Sequence, residues 1–87
     1  MSWKVNYTPD ALKSLARMPR NESARIVEKV KQLAKNPHAP NNNVKALKGK
    51  SDACRLRVGD WRVIYTLRDS ELVILVLTVG PRGSVYD

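Results

Sequence analysis

Metal-ligating and nucleophilic residues are scarce in this 87-residue chain: one cysteine, one histidine and eight acidic residues. The acidic residues are scattered singly, which leaves little for a zinc site or a two-metal nuclease site. One cysteine cannot form an internal disulfide and suits a reducing cytosol. Cys54 falls on the apolar side of an alternating segment, where a buried thiol is the expected state. His38 lies in a stretch of Pro, Asn and Ala and reads as a solvated loop residue, so no Ser-His-Asp or Cys-His set can be built around it. The four glycines form no phosphate-cradling loop of the Walker or dinucleotide type. The longest apolar run, Leu72 to Leu77, is too short to span a bilayer, and Met1-Ser2-Trp3-Lys4-Val5 is not a signal peptide. A cytoplasmic protein without a membrane partner, a metal or a cofactor is expected.

What the chain has is positive charge. Sixteen Lys and Arg against eight Asp and Glu give a net charge of +8, with an isoelectric point near 10.1. An anionic partner follows, nucleic acid first, acidic protein or an anionic membrane after it. With 43% apolar residues, the chain can close one modest core, so residues 1–87 are read as a single domain.

Trp3, Val5 and Tyr7 alternate with polar residues and predict a first strand. Thr8-Pro9-Asp10 predicts a helix start, with Thr as N-cap, Pro at the first helical position and Asp at the positive end of the helix dipole. Pro19 breaks that helix after Met18. A second helix is predicted from Arg20 to Lys35, with Ile26, Val27, Val30, Leu33 and Ala34 on one face. Residues 37–43 read as an ordered surface loop, and the basic stretch Val44 to Lys50 leads on from it. Two tight turns, Gly59-Asp60 and Asp69-Ser70, separate three strands, the last running from Glu71 to Val79. That strand is apolar at nearly every position, as a strand covered on both faces would be. The predicted fold is α+β, in the order β-α-α-β-β-β, with two N-terminal helices packed on one face of an antiparallel sheet.

The hairpin Cys54 to Tyr65 is the most informative segment. A two-residue turn at Gly59-Asp60 sets Val58 opposite Trp61 and Arg57 opposite Arg62. Leu56, Val58, Trp61, Val63 and Tyr65 then face the helices, and Arg55, Arg57 and Arg62 share the other face. A solvated strand face also alternates in this way. Like charges directly across a ladder are destabilising, however, and a phosphate between the guanidinium groups would relieve them. A site of Arg, Lys and Tyr suits one reaction class, in which a ribose 2′-OH attacks its own adjacent phosphodiester. The protein then has to align the attack, neutralise developing charge and help the 5′-oxygen leave.

Trp3-Lys4-Val5, Ala11-Leu12-Lys13-Ser14-Leu15, Pro19 and Lys45-Ala46-Leu47-Lys48-Gly49 resemble RelE-type toxins of bacterial toxin–antitoxin pairs. The likeness continues through Arg55 to Tyr65, Val79-Gly80-Pro81-Arg82 and Val85-Tyr86, almost the whole chain in the same order. The resemblance implies a metal-independent endoribonuclease that cuts mRNA in the ribosomal A site by 2′-OH attack. It implies as partners the ribosome with its mRNA and a cognate acidic antitoxin, the toxin being a monomer alone and a hetero-oligomer with the antitoxin. By resemblance Arg55 and Arg57 occupy two basic positions of the family's active site, Arg62 and Arg82 its two arginine positions, and Tyr86 its C-terminal aromatic. The first two positions are lysine in the best-known RelE pattern. Arginine there keeps phosphate binding and loses proton acceptance. Pro81 stands where the family often has His or Lys, and the stretch from Arg82 to Tyr86 is shorter. Lys45, Lys48 and Lys50 are read as electrostatic contacts to rRNA or antitoxin. Two other readings stay open: a ParE-like gyrase poison of the same fold, a group that generally lacks the arginine set, and a non-enzymatic basic RNA-binding module.

Overall fold

A computed structural model of the chain describes residues 2–47 and 52–81. Thr8 caps the first helix as its sequence predicts: its Oγ1 accepts from the Ala11 amide at 3.2 Å, and Pro9 opens the helix. Strand β1 (Lys4–Tyr7) precedes it, and the helices are α1 (Pro9–Arg17) and α2 (Arg20–Lys35). Four strands follow: β2 (Val44–Ala46), β3 (Ala53–Val58), β4 (Trp61–Arg68) and β5 (Val73–Pro81).

The strands form one sheet in the order β1-β5-β4-β3-β2. Strands β2 to β5 are an antiparallel meander, while β1 runs parallel to β5. The sheet is therefore mixed and only mostly antiparallel, where the sequence predicts antiparallel pairing throughout. The reason lies in the connections. A tight turn forces its two strands to run antiparallel, but β1 reaches the sheet through two helices, which leave its direction open. Strand β2 is an added element, with only three residues to alternate.

The helices cover one face of the sheet. Ala11, Met18, Ile26, Val30, Leu33 and Ala34 pack against Leu56, Val58, Val63, Tyr65, Ile74, Val76 and Val79, with Trp61 at the margin. The indole Nε1 of Trp61 donates to Glu22 Oε1 at 2.9 Å, tying the start of α2 to the hairpin. Val76 and Val79 both face this core although they are three residues apart. A β-bulge allows it: Tyr65 pairs with Val76 and Ile64 with Thr78, so Leu77 is the extra residue. The Leu77 carbonyl accepts from Thr8 Oγ1 at 2.6 Å, so one threonine caps α1 and fastens the bulge.

Two turns differ in detail. Gly59 has φ +59° and Asp60 does not have positive φ, a pattern in which glycine is required at the first turn position. A Cβ at Gly59 would also lie 3.0 Å from Nη1 of Arg25. Gly59→Ala is expected to lower stability by about 1–2 kcal/mol, measured as a fall in the urea midpoint. The second turn is longer than the predicted Asp69-Ser70 pair. It runs from 69 to 72, with Leu72 at φ +54° and half-exposed. The apolar run made Leu72 look like strand, but its left-handed backbone ends the turn, and β5 begins only at Val73. At its other end β5 extends past Val79 to Pro81, which pairs with Trp61.

Candidate functional site

The face of the sheet away from the helices carries the arginines. The register is the predicted one: Val58 opposite Trp61, Arg57 opposite Arg62. The Arg57 amide donates outward to the Asn43 carbonyl at 2.8 Å, so Arg57 and Arg62 form the pair that does not exchange ladder hydrogen bonds. In that geometry the two side chains stand closest, with Cα atoms about 4.5 Å apart. The like charges thus meet in the tighter of the two possible pairings.

The three hairpin arginines differ in depth. Arg57, near the turn, is exposed, Arg55 is half-buried, and Arg62 is only 8% exposed. Arg62 sits on the middle strand, between Arg57 on β3 and Gly80 on β5. Glycine leaves its side room for a guanidinium. Arg62 Nε and Nη1 and Arg55 Nε are buried. Charge held away from water acts more strongly on an arriving anion than the same charge in solvent. Arg55 stands opposite Ile64, which is buried on this face.

Lys45 joins the group through β2, where it pairs with Arg55. Lys45, Arg55 and Arg57 line a hollow of about 150 Å³ together with Asn42 and Asn43. Among the described residues neither Lys45 nor Arg57 makes an ion pair. A larger hollow of about 530 Å³ opens on the other side of Arg57, between α2 and β3, and brings in Arg25, Lys29 and Lys35. The sequence pattern reads Arg25 and Lys29 as solubility and ribosome-docking charge and Lys35 as a cation favoured in the last turn of its helix, and it gives Asn42 and Asn43 no role. The signal available was the run Asn41-Asn42-Asn43 directly before a basic strand. Lys48, Lys50, Arg82 and Tyr86 lie outside the described residues.

Other titratable groups stand apart from this face. Tyr65 is on the core side, where burial and the neighbouring Cys54 raise its pKa well above the ordinary phenol value. Burial likewise raises Tyr7 and the Cys54 thiol. Neither tyrosine is a proton acceptor at neutral pH, and the Cys54 thiol is poorly suited to act as a nucleophile. His38 is held at the far end of β4 from Arg62. Its Nε2 meets Asp69 Oδ1, and its ring lies edge-on to Trp3 at 5.6 Å. It remains exposed, as expected, but is less free than a plain loop residue. No helix among the described residues is long and apolar enough to cross a membrane.

Comparison with known proteins places this architecture. The chain is 29% identical to a RelE-like toxin protein of Escherichia coli over 100% of its own length and 93% of the relative's. It is 31% identical to a chain of the archaeal RelE–RelB complex from Pyrococcus horikoshii OT3, covering 98% of this chain and 100% of that one, with a TM-score of 0.81. The toxin–antitoxin complex RelBE2 of Mycobacterium tuberculosis shares the fold, with a TM-score of 0.81 at 23% identity over 97% of this chain and 95% of that one. The class is a RelE-type toxin of the RelE/ParE superfamily. Within it, the chain belongs to the family described as ParE toxin of type II toxin-antitoxin system, parDE, which it matches over residues 5–86.

Proposed function

We propose that this toxin is a ribosome-dependent endoribonuclease that cuts mRNA in the A site without a metal. The observation that carries the reading is the Arg57–Arg62 opposition, with Arg55 and Lys45 beside it on the same sheet. Three arginines converging on one face suit a phosphodiester, whose non-bridging oxygens accept forked donors. In the step itself the ribose 2′-oxygen forms a bond to phosphorus and the bond from phosphorus to the 5′-oxygen breaks. A 2′,3′-cyclic phosphate and a 5′-hydroxyl result. The proton leaves the 2′-hydroxyl and one is delivered to the 5′-oxygen. Arg55 and Arg57 grip the phosphate and Arg62 stabilises the added negative charge. Arg82 serves the transition state or the leaving oxygen, and Tyr86 is the proton-transfer candidate. Lys45, Lys48 and Lys50 extend the contact to rRNA.

The P. horikoshii relative is seen in complex with RelB. By analogy this chain is neutralised by a cognate antitoxin, an acidic one given the net charge of +8. Its association rate should fall steeply as salt rises, measured by stopped flow between low and physiological ionic strength.

The matched family's ParE description favours a second reading, poisoning of gyrase without RNA cleavage. Purified protein added to a translating extract separates the two. Site-specific mRNA cuts ending in cyclic phosphate support the ribonuclease. Gyrase-dependent DNA breaks with intact mRNA refute it.

A further inference from the structure

The small hollow beside the arginines holds two amide side chains that the phosphate chemistry does not need. We propose that Asn42 and Asn43 form a nucleobase subsite, which reads the base adjoining the phosphate held by Arg55 and Arg57. The inference rests on the ribonuclease reading and adds a source of sequence preference to it.

The residues divide by chemistry. Lys45, Arg55 and Arg57 offer donors only, which suits phosphate, and a contact spent on phosphate carries no sequence information. Asn42 and Asn43 offer a donor and an acceptor each, the combination that distinguishes one base edge from another. All five line one hollow of about 150 Å³, room for one planar group rather than a strand. An unpaired base splayed from single-stranded RNA is such a group, and RNA sequence is read mainly on bases of that kind.

Position matters as much as type. The Asn43 amide donates to Asn41 Oδ1 at 2.9 Å, and its carbonyl accepts from the Arg57 amide at 2.8 Å. The Val44 amide donates to the Asn41 carbonyl at 3.1 Å. The loop is thus pinned to β3 beside Arg57, while the Asn42 and Asn43 side chains stay exposed. A reader held in register with the phosphate grip can sense the neighbouring base without searching for it.

The test is single-turnover cleavage on ribosomes programmed with mRNAs in which each nucleotide flanking the cut is varied in turn. The wild type should discriminate among bases at one flanking position. The double variant Asn42→Ala/Asn43→Ala should flatten that discrimination by about tenfold, within the range of a lost bidentate base contact. The flattening should come from the best sequence, which falls toward the rate of the disfavoured ones, while the disfavoured rates hold within about threefold because the arginines remain. Both side chains are exposed, and the backbone bonds of Asn43 survive the change to alanine. A wild-type preference that the double variant retains overturns the subsite and leaves the ribonuclease standing, as does a wild type with no preference. An unchanged preference with weakened antitoxin binding assigns the corner to the protein partner. A wild type that cuts no programmed ribosome overturns both readings.

Discussion

Replacing Arg82 with alanine is expected to slow mRNA cleavage at least about a hundredfold, leaving the fold and antitoxin binding intact. Arg82 follows Pro81, where β5 ends, and stands two residues beyond Gly80, the cross-strand neighbour of Arg62. A rigid, multiply paired strand therefore leads directly into it. In the proposed mechanism Arg55 and Arg57 grip the phosphate and Arg62 meets the charge added to it, and the remaining demand is charge that appears as the bond to the 5′-oxygen breaks. Loss of one preorganised donor to such charge typically costs about 10²–10³ in rate, roughly 2.7–4 kcal/mol. Arg82→Lys should recover only part of it, because an ammonium point charge replaces a planar fork. Single-turnover cleavage on programmed ribosomes is the measurement. Near wild-type rates for Arg82→Ala would remove Arg82 from the site and leave the hairpin arginines as its whole cationic content.

The hairpin was legible because three signals agreed: alternation on both sides, Gly-Asp between them, and a turn length that permits one register. The same agreement of cap, proline and apolar spacing located α1 and α2. Other features had no local signal. The direction of β1 depends on where the meander ends, which no nearby residue states. Strand β2 exists because β3 offers it an edge, and Val44 to Ala46 are too few to show a period. The bulge at Leu77 is invisible in a run where every residue is apolar, since a slip of one residue changes no pattern there. Leu72 belonged to the same run and was mistaken for strand for the same reason.

The arginine face shows where alternation stops being informative. Period two puts Arg55, Arg57 and Arg62 on one side, and the structure agrees. It says nothing about depth. Arg62 is buried because β4 lies in the middle of the sheet, and Arg57 is exposed because β2 ends before reaching it. The loop of Asn42 and Asn43 is set beside Arg57 by the bond from the Arg57 amide to the Asn43 carbonyl, which a loop sequence does not announce. The depth gradient also bears on the chemistry. The buried Arg62 is suited to fixed electrostatic stabilisation, whereas the exposed Arg57 is suited to first capture of the substrate.

That division makes Arg57 the place where stability and activity should part. Arg57→Thr removes the closest like-charge opposition in the sheet and puts a β-branched residue into a strand position. The backbone bond from residue 57 to the Asn43 carbonyl is kept. Folding stability is expected to hold or rise, by a few tenths to about 1 kcal/mol in urea denaturation. Cleavage should fall roughly ten- to a hundredfold, the range for losing a hydrogen bond to a charged group, about 1.5–3 kcal/mol. The gain in stability should shrink only in part at high salt, because Arg62 is buried and partly buried charges are screened less than exposed ones. The loss of cleavage should persist at every salt concentration at which the ribosome stays intact. A clear loss of stability would mean that the Arg57 side chain holds the sheet together, and the arginine face would then be structural. Raised stability with cleavage unchanged would place the phosphate elsewhere. Only the opposed pair of results, a fold no weaker and a nuclease much weaker, matches a charge arrangement kept for its substrate rather than for its own sheet.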